Sequence, residues 1–282
     1  MKCTALGVVF CSSFLWVGPG LPPSETLVIT NVNVVDTRHG GLVPKVNVVI
    51  KDGDIAAISK VALVETGPHN RLVNAEGRYL IPGLWDMHAR LSQHAAWNRG
   101  SGLILYLVNG VTGLRDPDGA EEKHAETNAD AMLSPEIAKR GLSPHPELGI
   151  VEFDAIGGLE QADLDSSPGA WLHREMEELV NTGSTPLQAL QSATYNAALY
   201  MAKLDEYGVI ERGHIADMVL LDENPLDDIR NAEKVSAVVL RGRYFSRADL
   251  DIVRARAELN ADRTLGGLKA TDTKAPNTNA AQ

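Results

Sequence analysis

The chain has 282 residues, of which 44% are hydrophobic and 22% are charged. These values are typical of a globular protein and exclude a disordered or fibrous chain. The formal net charge is −11, from 26 basic and 37 acidic residues, and no basic run is present, so a nucleic-acid partner is not expected. Both cysteines, Cys3 and Cys11, lie near the start, so no disulfide is expected in the rest of the chain.

The first twenty residues have the pattern of a secretory signal peptide. Lys2 precedes a mostly apolar run, residues 5–17, and small residues follow at 18–20. The run is too short for a membrane-spanning helix, which needs about 20 apolar residues. We therefore expect cleavage near Gly20, no stable membrane span, and an exported protein that works in the periplasm or outside the cell.

Residues 26–76 have the pattern of β structure and show no helical period. They are rich in β-branched residues, and Asp52 with Gly53 predicts a type I′ hairpin turn between two apolar runs. The predicted strands are 26–36, 46–50, 54–59 and 71–77.

A second pattern begins at Arg78. Residues 101–110 predict a helix and 111–116 a short strand, and this alternation favours βα units with a parallel sheet. Residues 117–168 are polar and interrupted by prolines, and only 149–158 predicts a strand there.

Helical spacing returns at Trp171. Apolar residues predict a helix over 171–180 that ends near Gly183, and a second helix in the segment 184–204. This second helix is predicted to begin at Thr185 with a capping box that Gln188 completes. The remaining predicted elements are strands in 214–224 and 235–245, a helix over 249–263 and a disordered tail over 266–282.

Motifs along the chain resemble one family. The stretches are LIPGLWDMHAR (80–90), NGVTGLRD (109–116), the segment from Asp165 to Glu175, which ends in PGAWLHRE (168–175), and the segment 185–229. In this order they resemble the metal-dependent amidohydrolases, most closely the imidazolonepropionase-like and exported Xaa-Pro dipeptidase-like branch. The resemblance implies an α/β fold, with a TIM-like (β/α) barrel and a small β-sandwich domain built from both chain ends.

The barrel is expected to be incomplete. Only 49 residues separate Arg115, in the second barrel strand, from Asp165, at the eighth. A complete barrel needs about 250 residues, so strands three to seven do not fit. The expected organisation is a signal peptide (1–20), a β-sandwich domain (21–77 and 208–247), a partial barrel (78–207), and a C-terminal helix with a disordered tail (248–282).

The resemblance also implies site residues. His88 matches a metal ligand for Zn²⁺ or a similar divalent ion, and Asp165 matches the catalytic aspartate that moves a proton from the attacking water to the leaving nitrogen. A His-x-His pair would put two imidazoles on one face of a strand, but Arg90 stands at the second position. Because a guanidinium has no lone pair and adds positive charge, Arg90 counts against metal binding, and the protein could hold no metal.

Other ionisable residues are not expected to be ligands. Lys123, His124 and His145 follow no apolar strand and are interpreted as solvated loop residues. The remaining histidines have no partner at metal-ligand spacing; they are His39, His69, His94, His173 and His214.

Two functions stay open at the level of sequence. The first is metal-dependent hydrolysis of a C–N bond in a small-molecule amide, a cyclic amide or a dipeptide. The second is a catalytically inactive, shortened family member that acts as a scaffold or partner subunit. A partial barrel exposes strand edges and apolar faces, so either a homo-oligomer or poor solubility is expected.

Overall fold

The computed structural model describes residues 26–61, 70–89, 99–115, 136–138 and 168–272. The predicted signal peptide and the predicted strand over 149–158 lie outside these ranges. The strands are β1 (Thr26–Val35), β2 (Leu42–Lys51), β3 (Asp54–Ser59), β4 (Asn70–Asn74), β5 (Tyr79–Pro82), β6 (Leu84–Asp86), β7 (Val111–Arg115), β8 (Glu136–Ala138), β9 (Met218–Leu221), β10 (Val235–Leu240) and β11 (Arg243–Ser246). The helices are α1 (Arg99–Val108), α2 (Ala170–Asn181), α3 (Pro186–Ser192), α4 (Tyr195–Tyr200), α5 (Arg247–Asp272) and a 3₁₀ helix (Ile229–Glu233).

Strands from both ends of the chain share one sheet. Its order is β11-β10-β9-β5-β1-β2-β3, and β4 also pairs with β1. β1 is antiparallel to β2 and parallel to β4 and β5, and the antiparallel pairing of β5 with β9 joins the two chain ends. The predicted β segments on either side of the α/β region are therefore confirmed as strands, and their assembly into a sandwich stays a prediction.

The predicted type I′ turn is confirmed. Asp52 and Gly53 have φ angles of 56° and 95°, and β2 and β3 pair antiparallel on either side of them. Arg241 and Gly242 form a similar turn between β10 and β11, with φ angles of 47° and 78°. Positive φ at both central residues matches the right-handed twist of the flanking strands.

The centre of the large sheet is buried on both faces. In β9, Met218 and Leu220 contact one apolar cluster, while Val219 and Leu221 contact the other. The first cluster consists mostly of strand residues, with Ala75, Ile210 and Ala216 from the connections, and the second also includes residues of α1, α2 and α5. Alternate side chains of a strand point to opposite faces, so one short segment contributes to both cores.

A smaller sheet holds the predicted parallel unit. β6, β7 and β8 are parallel neighbours, and α1 lies between β6 and β7 in the chain. The prediction of a βα unit over this part of the chain is therefore confirmed. β8 was not predicted, because its three residues are too few to produce a recognisable alternation.

The segment 184–204 forms two helices where the sequence predicts one. α3 ends at Ser192 and α4 begins at Tyr195. The carbonyl of Ala193 accepts a hydrogen bond from the backbone N–H of Trp85 at 2.8 Å, and Thr194 has non-helical angles (φ −134°, ψ −91°). A continuous helix would use that carbonyl for the N–H four residues later. The contact with β6 therefore divides the helix.

α5 is longer than predicted. It continues to Asp272, past residue 263 and into the segment predicted to be a disordered tail. The helix includes Gly266 and Gly267, which are weak helix formers, and residues 273–282 lie outside the described ranges. No helix in the described part of the chain combines the length and apolar character that crossing a membrane requires.

The capping box at Thr185 is confirmed, and its removal should destabilise the protein. Gln188 N–H donates to Thr185 Oγ1 at 3.2 Å, and Thr185 N–H donates to Gln188 Oε1 at 2.8 Å. Thr185→Ala removes the hydroxyl that accepts from the Gln188 N–H and that donates to Gln188 Oε1, so we expect a loss of about 1 kcal/mol in the free energy of unfolding, measured by urea denaturation. The neighbouring Ser184→Ala keeps the box and should change stability by less than about 0.5 kcal/mol. Equal effects of the two substitutions would contradict the role of the cap.

Candidate functional site

His88 lies directly beyond the carboxyl end of β6. Its side chain is half-buried, and its backbone N–H donates to Asp86 Oδ1 at 2.9 Å. Asp86 is buried at the last position of the strand. In βα folds, functional side chains gather at the carboxyl ends of parallel strands, and β6 pairs in parallel with β7. This position makes His88 a candidate functional residue.

Arg115, the last residue of β7, holds the backbone on both sides of His88. Its Nη1 donates to the carbonyl of Met87 at 3.1 Å, and its own carbonyl accepts the N–H of Ala89 at 3.0 Å. The guanidinium also lies over the ring of Tyr200 in α4, at 5.5 Å from the ring centroid. These contacts make the neighbourhood of His88 rigid. The sequence marked Arg115 only as the end of a strand, because no local signal shows that a side chain reaches another strand.

Aromatic residues support β6 on the side of α4. Trp85 is 1% exposed, and its ring meets the ring of Tyr207 edge to face at 5.5 Å. The same apolar cluster includes Met87 and Tyr200. β6 is therefore anchored by an aromatic core next to the backbone that carries His88.

The other predicted site residues lie outside the described ranges. This applies to Asp165 and Arg90, and also to Lys123, His124 and His145. Of the predicted catalytic and metal-binding residues, the described part of the structure places His88 alone, and the roles predicted for all of them, His88 included, stay predictions.

Three further histidines are described and occupy separate places. His39 is exposed and contacts Asp36 Oδ2 through Nδ1 at 3.1 Å. His214 is buried, with Nε2 at 3.0 Å from the carbonyl of Leu204. His173 is buried on α2, with Nε2 at 2.8 Å from the carbonyl of Asn109.

The described residues do not complete a metal centre. A catalytic zinc site uses about three protein ligands, and His88 offers one imidazole. Within the described ranges, no group of three or more His, Cys, Asp or Glu residues is placed to hold a metal ion. Any further ligands would have to come from residues outside these ranges.

Part of the chain matches a known protein family. Residues 166–244 match the sequence model of the amidohydrolase family, a segment that begins four residues before α2 and ends within β11. The chain is 37% identical to an ochratoxinase of Aspergillus niger over 76 residues, which are 26% of this chain and 16% of that protein. It is 27% identical to an imidazolonepropionase of Symbiobacterium thermophilum over 150 residues, which are 50% of this chain and 32% of that protein. The matches thus span less than a third of either relative.

Solved structures share the mixed α/β fold. A molinate hydrolase structure superposes with a TM-score of 0.64 over 93% of this chain and 100% of that chain, at 15% identity. A Xaa-Pro dipeptidase structure superposes with a TM-score of 0.56 over 78% of this chain and 100% of that chain, at 14% identity. These neighbours are amidohydrolases or related hydrolases, and the part of the chain that matches the amidohydrolase family is residues 166–244.

Proposed function

We propose that the protein hydrolyses a C–N bond in a small-molecule amide, a cyclic amide or a dipeptide, with His88 in the reaction centre. The observation that carries the proposal is the position of His88, beyond the carboxyl end of a strand in a parallel pair, in a chain that matches the amidohydrolase family over residues 166–244. The names of the relatives support a hydrolytic reaction, since ochratoxinase, imidazolonepropionase and molinate hydrolase share sequence or fold with the chain.

The proposed roles follow from side-chain chemistry. The imidazole of His88 offers a nitrogen lone pair, and Asp86 and Arg115 hold the backbone from which the ring extends. Asp165 is proposed to take a proton from water and pass it to the leaving nitrogen. Members of the family are generally metal-dependent, and a divalent ion such as Zn²⁺ would polarise the carbonyl when bound.

Arg90 supports a second candidate function, an inactive family member that acts as a scaffold or partner subunit. A guanidinium at the second position of the His-x-His pattern cannot bind a metal ion. We further propose that residues 1–20 direct export, so either function would be carried out beyond the cytoplasm.

The proposal is tested by metal content and turnover of the purified full chain. After dialysis against trace Zn²⁺, mass spectrometry should find near-stoichiometric metal in the wild type and much less in His88→Ala. Hydrolysis is then measured on Xaa-Pro dipeptides and cyclic amides. We expect His88→Ala to lower turnover at least about 100-fold, since it removes the group at the reaction centre.

His39→Ala is the matched control, because it removes an exposed histidine from the turn after β1. It should keep the metal content and turnover of the wild type. A wild-type protein that holds no metal and hydrolyses none of these substrates would overturn the proposal in favour of the inactive family member. Equal losses in both histidine variants would contradict the special role of His88.

A further inference from the structure

A cavity of about 430 Å³ lies in the large sheet, away from β6 and β7. It forms where the β2–β3 turn and the β10–β11 turn meet the beginnings of β1 and β4. Its volume is within the range of small-molecule sites, which is about 300–1,000 Å³. None of its lining residues belongs to the candidate site around His88.

The lining of this cavity is locally basic in an acidic protein. Arg71, Arg241 and Arg243 line it, against a single lining carboxylate, that of Asp52, while the whole chain has a net charge of −11. Arginines that converge on one concave surface create a local positive potential. The local excess of positive charge favours an anionic ligand.

The cavity also has apolar and aromatic walls. Leu27 and Ile50 are 3% and 1% exposed, so they belong to the core beneath it. The guanidinium of Arg71 lies 4.7 Å from the ring centroid of Tyr244, and that of Arg243 lies 5.3 Å from the ring centroid of Phe245. Stacking uses the face of a guanidinium, so its N–H edge can still bind a carboxylate in a bidentate manner.

The rim of the cavity is rigid. A Cβ on Gly242 would lie 2.8 Å from Gly53 Cα, so the two turns pack directly against each other. The backbone N–H of Arg241 donates to Oδ1 of the buried Asp217 at 2.6 Å. The N–H of Ala216 donates to the carbonyl of Gly53, and the carbonyl of Ala216 accepts the N–H of Gly242, so Ala216 connects the two turns. A preformed rim reduces the entropy lost when a ligand binds.

We propose that this cavity binds a small organic anion that joins a carboxylate to an apolar or aromatic group. The arginines bind the carboxylate, and the half-buried ring of Tyr244 contacts the apolar part. The proposal does not depend on hydrolysis at His88, because the two sites share no residue.

Isothermal titration calorimetry of the full chain tests the proposal with three probes: phenylacetate, its neutral analogue phenylacetamide, and inorganic phosphate. Phenylacetate should bind at least about tenfold more tightly than phenylacetamide, because the guanidinium–carboxylate bonds are lost with the charge. It should also bind more tightly than phosphate, which lacks an apolar part, and added NaCl should weaken its binding.

Variants locate the binding to the cavity. Arg71→Gln and Arg243→Gln should each weaken phenylacetate binding about five- to tenfold. Arg256→Gln makes the same charge change at an exposed position of α5 and should leave the dissociation constant unchanged. No binding by the wild type, equal binding of phenylacetate and phenylacetamide, phosphate binding as tight as phenylacetate, or equal losses in all three variants would each overturn the proposal.

Discussion

Gly113→Ala is expected to lower the free energy of unfolding by about 3 kcal/mol, because overpacking a rigid core forces side chains and backbone to move. An added Cβ would lie 2.2 Å from Cδ2 and 2.3 Å from Cε2 of Trp85. The ring cannot easily yield, since it is 1% exposed and packs edge to face on Tyr207. The loss is measured as a lower urea midpoint at an unchanged m-value.

A double-mutant cycle with Trp85→Leu identifies the cause of this loss. Trp85→Leu alone should also destabilise the protein, since it leaves a cavity in the aromatic cluster around β6. In the double variant, the smaller leucine side chain leaves more space for the new methyl group of position 113. The loss in free energy of unfolding of the double variant should therefore be smaller than the sum of the losses of the two single variants by at least about 1 kcal/mol. Additive losses would show that the clash with Trp85 is not the reason.

The protein is expected to lose stability below about pH 6.5 through His173. Burial on α2 lowers the pKa of His173, while the hydrogen bond with Asn109 and the charge of Glu233 act in the opposite direction and are weaker. Nε2 faces the Asn109 carbonyl, so it carries the proton, and Nδ1 is buried without a hydrogen-bond partner in the described part of the chain. Protonation would put a second N–H where no acceptor lies.

The sign of this pH dependence follows from proton binding. With a lowered pKa in the folded state, the unfolded chain binds more protons below about pH 6.5, so stability falls with pH by about 1.4 kcal/mol for each unit until the folded pKa is reached. His173→Gln keeps an N–H for the Asn109 carbonyl and removes this titration. The difference between its stabilities at pH 7.5 and pH 5.5 should therefore be smaller than that of the wild type by about 1 kcal/mol.

Urea denaturation at several pH values measures both variants. His39→Gln removes an imidazole from an exposed turn. Its free energy of unfolding should therefore fall with decreasing pH as steeply as that of the wild type. If the free energy of unfolding of His173→Gln falls with decreasing pH as steeply as that of the wild type, groups other than His173 cause the loss of stability in acid.

Several elements could be predicted from the sequence because their signals are local. The β-branched segment of β1 and the turn at Asp52 and Gly53 need only neighbouring residues to choose their conformation. The same is true of the capping box at Thr185. A similar local signal at the start of α5 was not predicted. The backbone N–H of Ser246 donates to Asp249 Oδ2, and the backbone N–H of Asp249 donates to Ser246 Oγ, which is the pattern of a capping box.

The candidate site could be predicted only in part. The position of His88 follows from its motif and from the strand before it. Its neighbour Arg115 is 27 positions further along the sequence, and the contact with Met87 exists because β6 and β7 pair in parallel. Asp165 and Arg90 lie outside the described ranges, so their predicted roles await the metal and activity measurements.

The sequence by itself determined most of the described strands, the turn at Asp52 and Gly53, the βα unit and the family resemblance, since each depends on residues close together in the chain. Tertiary structure alone decided how distant segments meet. The pairing of β5 with β9 joins the two chain ends, and the bond from Trp85 to Ala193 divides α3 from α4. The arginine-lined cavity likewise exists because the turns at Gly53 and Gly242 pack together. Such contacts depend on which surfaces are buried together, and no local propensity encodes that choice.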